Sequence, residues 1–170
     1  MVTSRRLPVA VLAATSVLGL STGVTAVVVA RDAPPAAVGS EVPRAEPEGV
    51  RLLRAWDAKR SRAYATGDDA ALADLYVRGS DTGRADRAVL RGYRQRGLVV
   101  KRMRTQLLRA TVVRESELRV VLLVTDVLTD AVAVDGAERW PLPRDQPSTR
   151  RVVLVAPHDV WLVEEAYAVE

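Results

Sequence analysis

Apolar and polar positions follow different rhythms in successive parts of the chain. Leu7 to Ala30 (LPVAVLAATSVLGLSTGVTAVVVA) runs 24 residues without a charged side chain. At about 1.5 Å of rise per residue, about 20 helical residues cross a bilayer's hydrocarbon core. Arg5 and Arg6 precede the run, so the positive-inside bias places Met1 in the cytoplasm and everything after Arg31 outside. Residues 1–30 are therefore read as a retained single-pass anchor in the cell membrane. The alternative is a secretory signal cleaved after Val28-Val29-Ala30 or Val24-Thr25-Ala26. Arg31 to Glu48 holds four prolines and no apolar periodicity, which reads as a semi-extended tether. Residues 49–170 remain as one domain.

Within that domain the period is first helical. Leu52, Leu53, Trp56, Ala63 and Tyr64 form one stripe over Gly49 to Thr66, with Arg51, Arg54, Asp57, Lys59 and Arg62 expected to face away. Gly67 ends this helix, and Asp68 caps a short second one over Asp69 to Tyr76. VRGSDTG (Val77 to Gly83) reads as a loop, and its GSDTG lacks the preceding strand of a phosphate loop. A third helix is expected from Arg84 to Arg96, with Ala85, Val89, Leu90 and Tyr93 inward.

From Leu98 the period becomes two. Val99 to Val113 reads as a long strand, bulged or bent, with Val99, Met103, Leu107 and Val113 on one face. Leu118 to Val134, Thr149 to Ala156 and Val160 to Val169 follow as strands, and Ala137 to Pro147 reads as a loop or ragged edge. Three helices and then about four antiparallel strands in a meander make an α+β domain, preceded by the transmembrane helix.

Composition narrows the chemistry. With no cysteine there are no disulfides and no thiolate metal site, and with no phenylalanine the core is built from Val, Leu and Ala. Arg, Ala and Val richness is the mark of a GC-rich genome. The net charge of +4 hides an asymmetry. Residues 78–119 carry twelve basic and four acidic side chains, against four and nine in residues 120–170. Arg91, Arg94, Lys101, Arg102 and Arg104 form a candidate basic patch for anionic lipid or polymer. Nucleic acid is not an expected partner outside the membrane. The plainer reading is arginines solvating one helix and one strand face.

A first helix running into YATGDDAALADLY, a third helix, and long strands finishing in VWLVEEAYAV resemble the nuclear transport factor two-like, or cystatin-like, superfamily, which includes SnoaL-type cyclases and ketosteroid isomerases. They look most like its membrane-anchored actinobacterial versions. The resemblance implies a cone-shaped cavity between a curved sheet and the helices.

Arg60 lies four residues from both Trp56 and Tyr64, on the inward stripe, so its guanidinium needs a partner or an open cavity. It reads as an anion-binding group or as half of an ion pair with Asp126 or Glu165. Asp126 and Asp130, four apart on a strand, are expected on one face. Asp126 is a candidate general base, with Tyr64, Tyr93, Tyr76 or Tyr167 as oxyanion donor. Trp56 and Trp161 are candidate cavity walls, and Trp140 is expected at an exposed edge. The single histidine, His158, falls in a Pro157-His158-Asp159 turn, so no His/Asp catalytic set assembles. The leading expectation is a non-catalytic, membrane-tethered module without cofactor or metal, which forms a homodimer or binds an envelope protein. A cavity-based small-molecule binder or isomerase/dehydratase is the rival.

Overall fold

The computed structural model describes residues 45–169. The expected anchor and nearly all of the tether lie outside them, and no described helix is long and apolar enough to cross a membrane.

Helix α1 (Glu48–Thr66) carries Val50, Leu53, Ala63 and Tyr64 on its buried side. It stops at Gly67, whose φ of 69° lets the turn accept the left-handed cap geometry. Asp68 then caps α2 (Asp69–Ala73), its carboxylate accepting from the Ala70 and Ala71 amides at 3.0 and 2.9 Å. This helix is three residues shorter than its apolar pattern predicts, because a strand competes for the backbone. Val77 N–H donates to the Val163 carbonyl and Val163 N–H to that of Leu75, both at 3.0 Å. Tyr76 thereby leaves the helix and bridges Val163 in parallel.

Helix α3 (Asp81–Arg94) begins three residues before its expected start, within the segment read as a loop. Ser80 caps it by accepting from Gly83 N–H at 3.1 Å. Its phase also differs from the expectation. Leu90 and Gly83 are buried and Asp86 faces inward, whereas Val89 is 47% exposed and Ala85 is exposed. A carboxylate displaces valine from the inner face because it has partners there.

The sheet has five strands: β1 (Val99–Ser116), β2 (Arg119–Asp135), β3 (Glu138–Pro141), β4 (Ser148–Val155) and β5 (Leu162–Ala168). All named pairings are antiparallel, in the order β1-β2-β4-β5. The extra strand, β3, comes from the segment expected as a loop or ragged edge. It pairs with the end of β2 (Val132 to Asp135), while β4 pairs with its beginning (Arg119 to Asp126).

Bulges curve this sheet. The β1–β2 register slips at Arg102–Met103, at Thr129, at Leu108 and at Val113. Arg102 takes a φ of 58°. The slips reset the faces: Val100, Met103, Leu107 and Val112 pack on the core, while Val113 is 53% exposed, so the expected pairing of Val99 with Val113 inward is wrong. The Thr129 bulge also parts Asp126 from Asp130. Asp126 stays on the face of Leu122 and Val124, and Asp130 turns away to pair with Arg102 at 2.9 Å.

The core lies between α1–α3 and the inner face of the sheet, centred on Leu53, Tyr64, Leu72, Leu90, Leu122 and Leu154. Strand β1 is a free edge of the sheet, and its bulges together with Lys101, Arg102, Arg104, Arg109 and Arg114 block edge-to-edge pairing.

Candidate functional site

Two polar clusters sit on the inner side of α1. The first is closed. Asp86 on α3 accepts from Arg60 Nε at 2.7 Å and Nη2 at 2.5 Å, and from the hydroxyls of Tyr64 and Tyr76, each at 2.7 Å. The Arg60 guanidinium lies 5.0 Å from the Tyr64 ring centroid and 6.0 Å from that of Trp56. Burial opposes the charges of Arg60 and Asp86, but their mutual hydrogen bonds outweigh it. Arg60 is held above its ordinary pKa and Asp86 below the usual carboxyl range. Burial, and then the Asp86 charge, raise both tyrosines, which stay protonated as donors. Arg60 is therefore an ion-paired core residue. Its partner is neither Asp126 nor Glu165, and Tyr64 is not free to act as an oxyanion donor.

The second cluster is open. A groove of about 810 Å³ runs between α1 and the sheet. Leu53, Trp56, Met103 and Leu107 supply its apolar wall, and Asp57, Asp126 and Arg150 its principal charges. Asp57 lies four residues after Leu53 and three before Arg60, on the stripe that faces the sheet rather than away from it. Thr105 Oγ1 donates to Asp57 at 3.3 Å. Burial raises the Asp57 pKa above the ordinary carboxyl value. The Asp126 charge adds to this, and Arg60, Thr105 and Arg150 do not cancel it.

Asp126 is 5% exposed and accepts from Arg150 Nη2. Arg150 reaches it because alternation along β4 puts residue 150 on the face of Val152 and Leu154. Its Nε is buried with no acceptor among the described residues. Two more cations border the groove: Arg54, paired with Glu46 at 2.8 Å, and Arg104 on the exposed edge.

Of the residues picked from the sequence, Trp56, Asp126 and Arg104 border the groove; Arg60, Tyr64 and Trp161 do not. Trp161 instead packs, partly buried, against the core. Asp57, Asp86 and Arg150 were missed. Asp86 had a positional signal, four before Leu90, and Arg150 one in strand alternation, but a charged side chain in an apolar phase reads as an exception until its partner is known. The residues of the candidate basic patch have different surroundings. Arg91 borders Asp69 at 3.5 Å beside the closer Arg87 pair at 2.5 Å, Arg102 pairs with Asp130, and Lys101 is exposed. Arg94 packs its stem beside Gly67. Trp140, on β3, is 42% exposed. Among the described residues no three His, Asp or Glu side chains gather as a metal-holding group.

No family model matches the sequence, and no curated protein does. Solved structures do. The intermembrane space region of the chloroplast protein ARC6 aligns with a TM-score of 0.51 at 16% identity, over 71% of this chain and 93% of that one. Aln2 from a Streptomyces species aligns at 0.50 and 17% identity, over 71% and 89%. A protein from Novosphingobium aromaticivorans, described as NTF2-like with a cystatin-like fold, aligns at 0.42 and 15% identity, over 69% and 78%. Three helices closed over one face of a bulged, curved antiparallel sheet, with a groove beneath the first helix, give residues 45–169 the nuclear transport factor two-like, or cystatin-like, fold.

Proposed function

We propose that this chain is a small-molecule-binding domain that holds its ligand in the groove between α1 and the sheet and does not transform it. One observation carries the reading. Asp57 keeps a raised pKa at the wall of an open groove although Arg60 and Arg150 act on it, a cost that packing alone does not require. The Arg60–Asp86–tyrosine cluster, by contrast, has its hydrogen bonds satisfied internally. Neither cluster contains a histidine; His158 lies exposed in its turn. The apolar run at residues 7–30, with Arg5 and Arg6 before it, supports a location for this domain on the outer side of the cell membrane.

A thermal-shift screen of the full chain against a library of amphipathic molecules tests the reading. Ligands are expected to raise the melting temperature, and Ala58→Trp, which plugs the groove from its exposed lip, to abolish the shift while leaving the unliganded protein folded. Shifts that survive the plug would place binding elsewhere. A reporter fused to the C-terminus tests the location and is expected to be active only outside the cytoplasm.

A second reading, self-association or docking on an envelope partner, draws on exposed Leu118, Leu123 and Tyr167. Sedimentation of the full chain in nanodiscs distinguishes it: monomers across the concentration range remove the homodimer.

A further inference from the structure

We infer that the groove selects an uncharged ligand with a flat apolar body and a hydrogen-bonding face that pairs one acceptor with one donor, as in a primary amide or a lactam. This rests on the groove being the binding site proposed above, and it names the ligand class.

Most of the groove's inner polar groups are already spent. Trp56 donates its indole N–H to the Leu75 carbonyl at 3.1 Å, so it offers only its ring. Ser61 donates to the Met103 carbonyl at 3.0 Å, Thr129 to that of Arg104 at 3.2 Å, and Thr105 to Asp57. Asp57 and Arg150 keep capacity, and Asp126 keeps its Oδ1 without a donor from the described residues beside its bond to Arg150. Asp57 has one carboxyl oxygen that receives no hydrogen bond from the described residues. Arg150 uses only Nη2, on Asp126, and its remaining N–H groups find no acceptor among the described residues. Arg150 thus asks for an acceptor, and Asp57, from the facing wall, asks for a donor.

Charge selects among ligands that meet this demand. A carboxylate or phosphate would gain Arg150 but face Asp57 and Asp126. An amine would gain Asp57 and Asp126 but face Arg150, Arg104 and Arg54. In a half-buried groove each mismatch leaves a poorly solvated charge beside its like. A neutral group with both functions meets Arg150 and Asp57 together at no such cost, and its apolar body lies along Trp56 and Leu107.

The chain holds two methionines, Met1 and Met103, and Met103 lines the groove. Full-length protein in lipid nanodiscs, labelled with ¹³C at the methionine methyls, is titrated with 1-naphthamide, 1-naphthoate and 1-naphthylmethylammonium. These share one body and differ in the polar group. The amide is expected to shift the Met103 methyl with a dissociation constant about tenfold below either charged probe, roughly one well-made hydrogen bond. Arg150→Met and Asp57→Ala are each expected to erase that preference. If the naphthoate or the amine binds as tightly as the amide, the ligand class is wrong while the groove remains a binding site. If none of the three moves Met103, the binding-site reading falls as well. The ranking on the unmodified chain decides alone, so the outcome does not depend on either variant folding.

Discussion

Asp86 receives both Nε and Nη2 of Arg60, at 2.7 and 2.5 Å, and so ties α3 to α1 by a forked ion pair roofed with two tyrosine hydroxyls. Its side chain is only 10% exposed and that of Arg60 23%, so the pair is largely screened from water. Asp86→Asn keeps the shape and removes the charge, stranding the guanidinium between Trp56 and Tyr64. The expected cost is about 3 kcal/mol of unfolding free energy, read from urea denaturation. The double variant Arg60→Met with Asp86→Leu is expected to recover most of it, since no unpaired charge then remains. A single variant that unfolds like the wild type would show that the pair contributes nothing.

The same pair sets a direction for acid stability. The folded pKa of Asp86 lies below its unfolded value. Its contribution is therefore complete above the unfolded value, about 4, and is lost as pH falls through the folded one. Wild type is expected to lose stability through that acid window, and Asp86→Asn to show a flatter profile there. Parallel melting-temperature curves for the two would refute this.

Asp57 has the opposite sign. Its folded pKa is raised, so its ionised form costs stability above that value, and the cost fades as pH falls toward the unfolded pKa. Asp57→Asn is expected to melt higher than wild type at neutral pH and to converge with it in acid, while Asp57→Ala loses the roughly tenfold advantage of the amide probe. Such a trade marks a residue kept for a site rather than for the fold.

Gly83 lies inside α3, where alanine would ordinarily gain about 1 kcal/mol over glycine. Here a Cβ would meet Tyr76 Cβ and Cγ at 2.7 Å, atoms close to the backbone that cannot swing aside. Steric cost wins. Gly83→Ala is expected to destabilise by about 2 kcal/mol and to loosen the Tyr76 hydroxyl from Asp86, visible as a changed tyrosine absorbance titration.

Thr82 Oγ1 accepts the Ala166 N–H at 2.9 Å and faces the Ala166 carbonyl at 3.3 Å, while Ser80 Oγ donates to the Glu164 carbonyl at 2.8 Å. Two side chains thus stand in for a neighbouring strand at the outer edge of β5. Thr82→Val, equal in shape, is expected to cost about 1 kcal/mol and to speed hydrogen exchange at the Ala166 amide by about tenfold.

Legibility followed the reach of each interaction. The first helix, its glycine stop and the Asp68 cap were readable because their causes lie within four residues. The second helix was overextended since the competing partner, Val163, is some ninety positions away. β3 fell in a segment readable only as a loop or ragged edge because four residues with a proline carry no alternation worth reading; pairing with the end of β2 makes them a strand. A bulge at Thr129 inverted the expected kinship of Asp126 and Asp130, since one unpaired residue flips every later side chain to the other face.

By itself the sequence determined the α+β order of helices before strands, an aliphatic core without disulfides, and an inward Arg60 that needed a partner or an open cavity, because periodicity and burial cost act locally. Only the tertiary structure decided that Asp86 is the partner of Arg60 and that Asp57 and Arg150 line one groove. Pairing of charges depends on distances between elements far apart in the chain, and those distances are set by strand register and helix phase together.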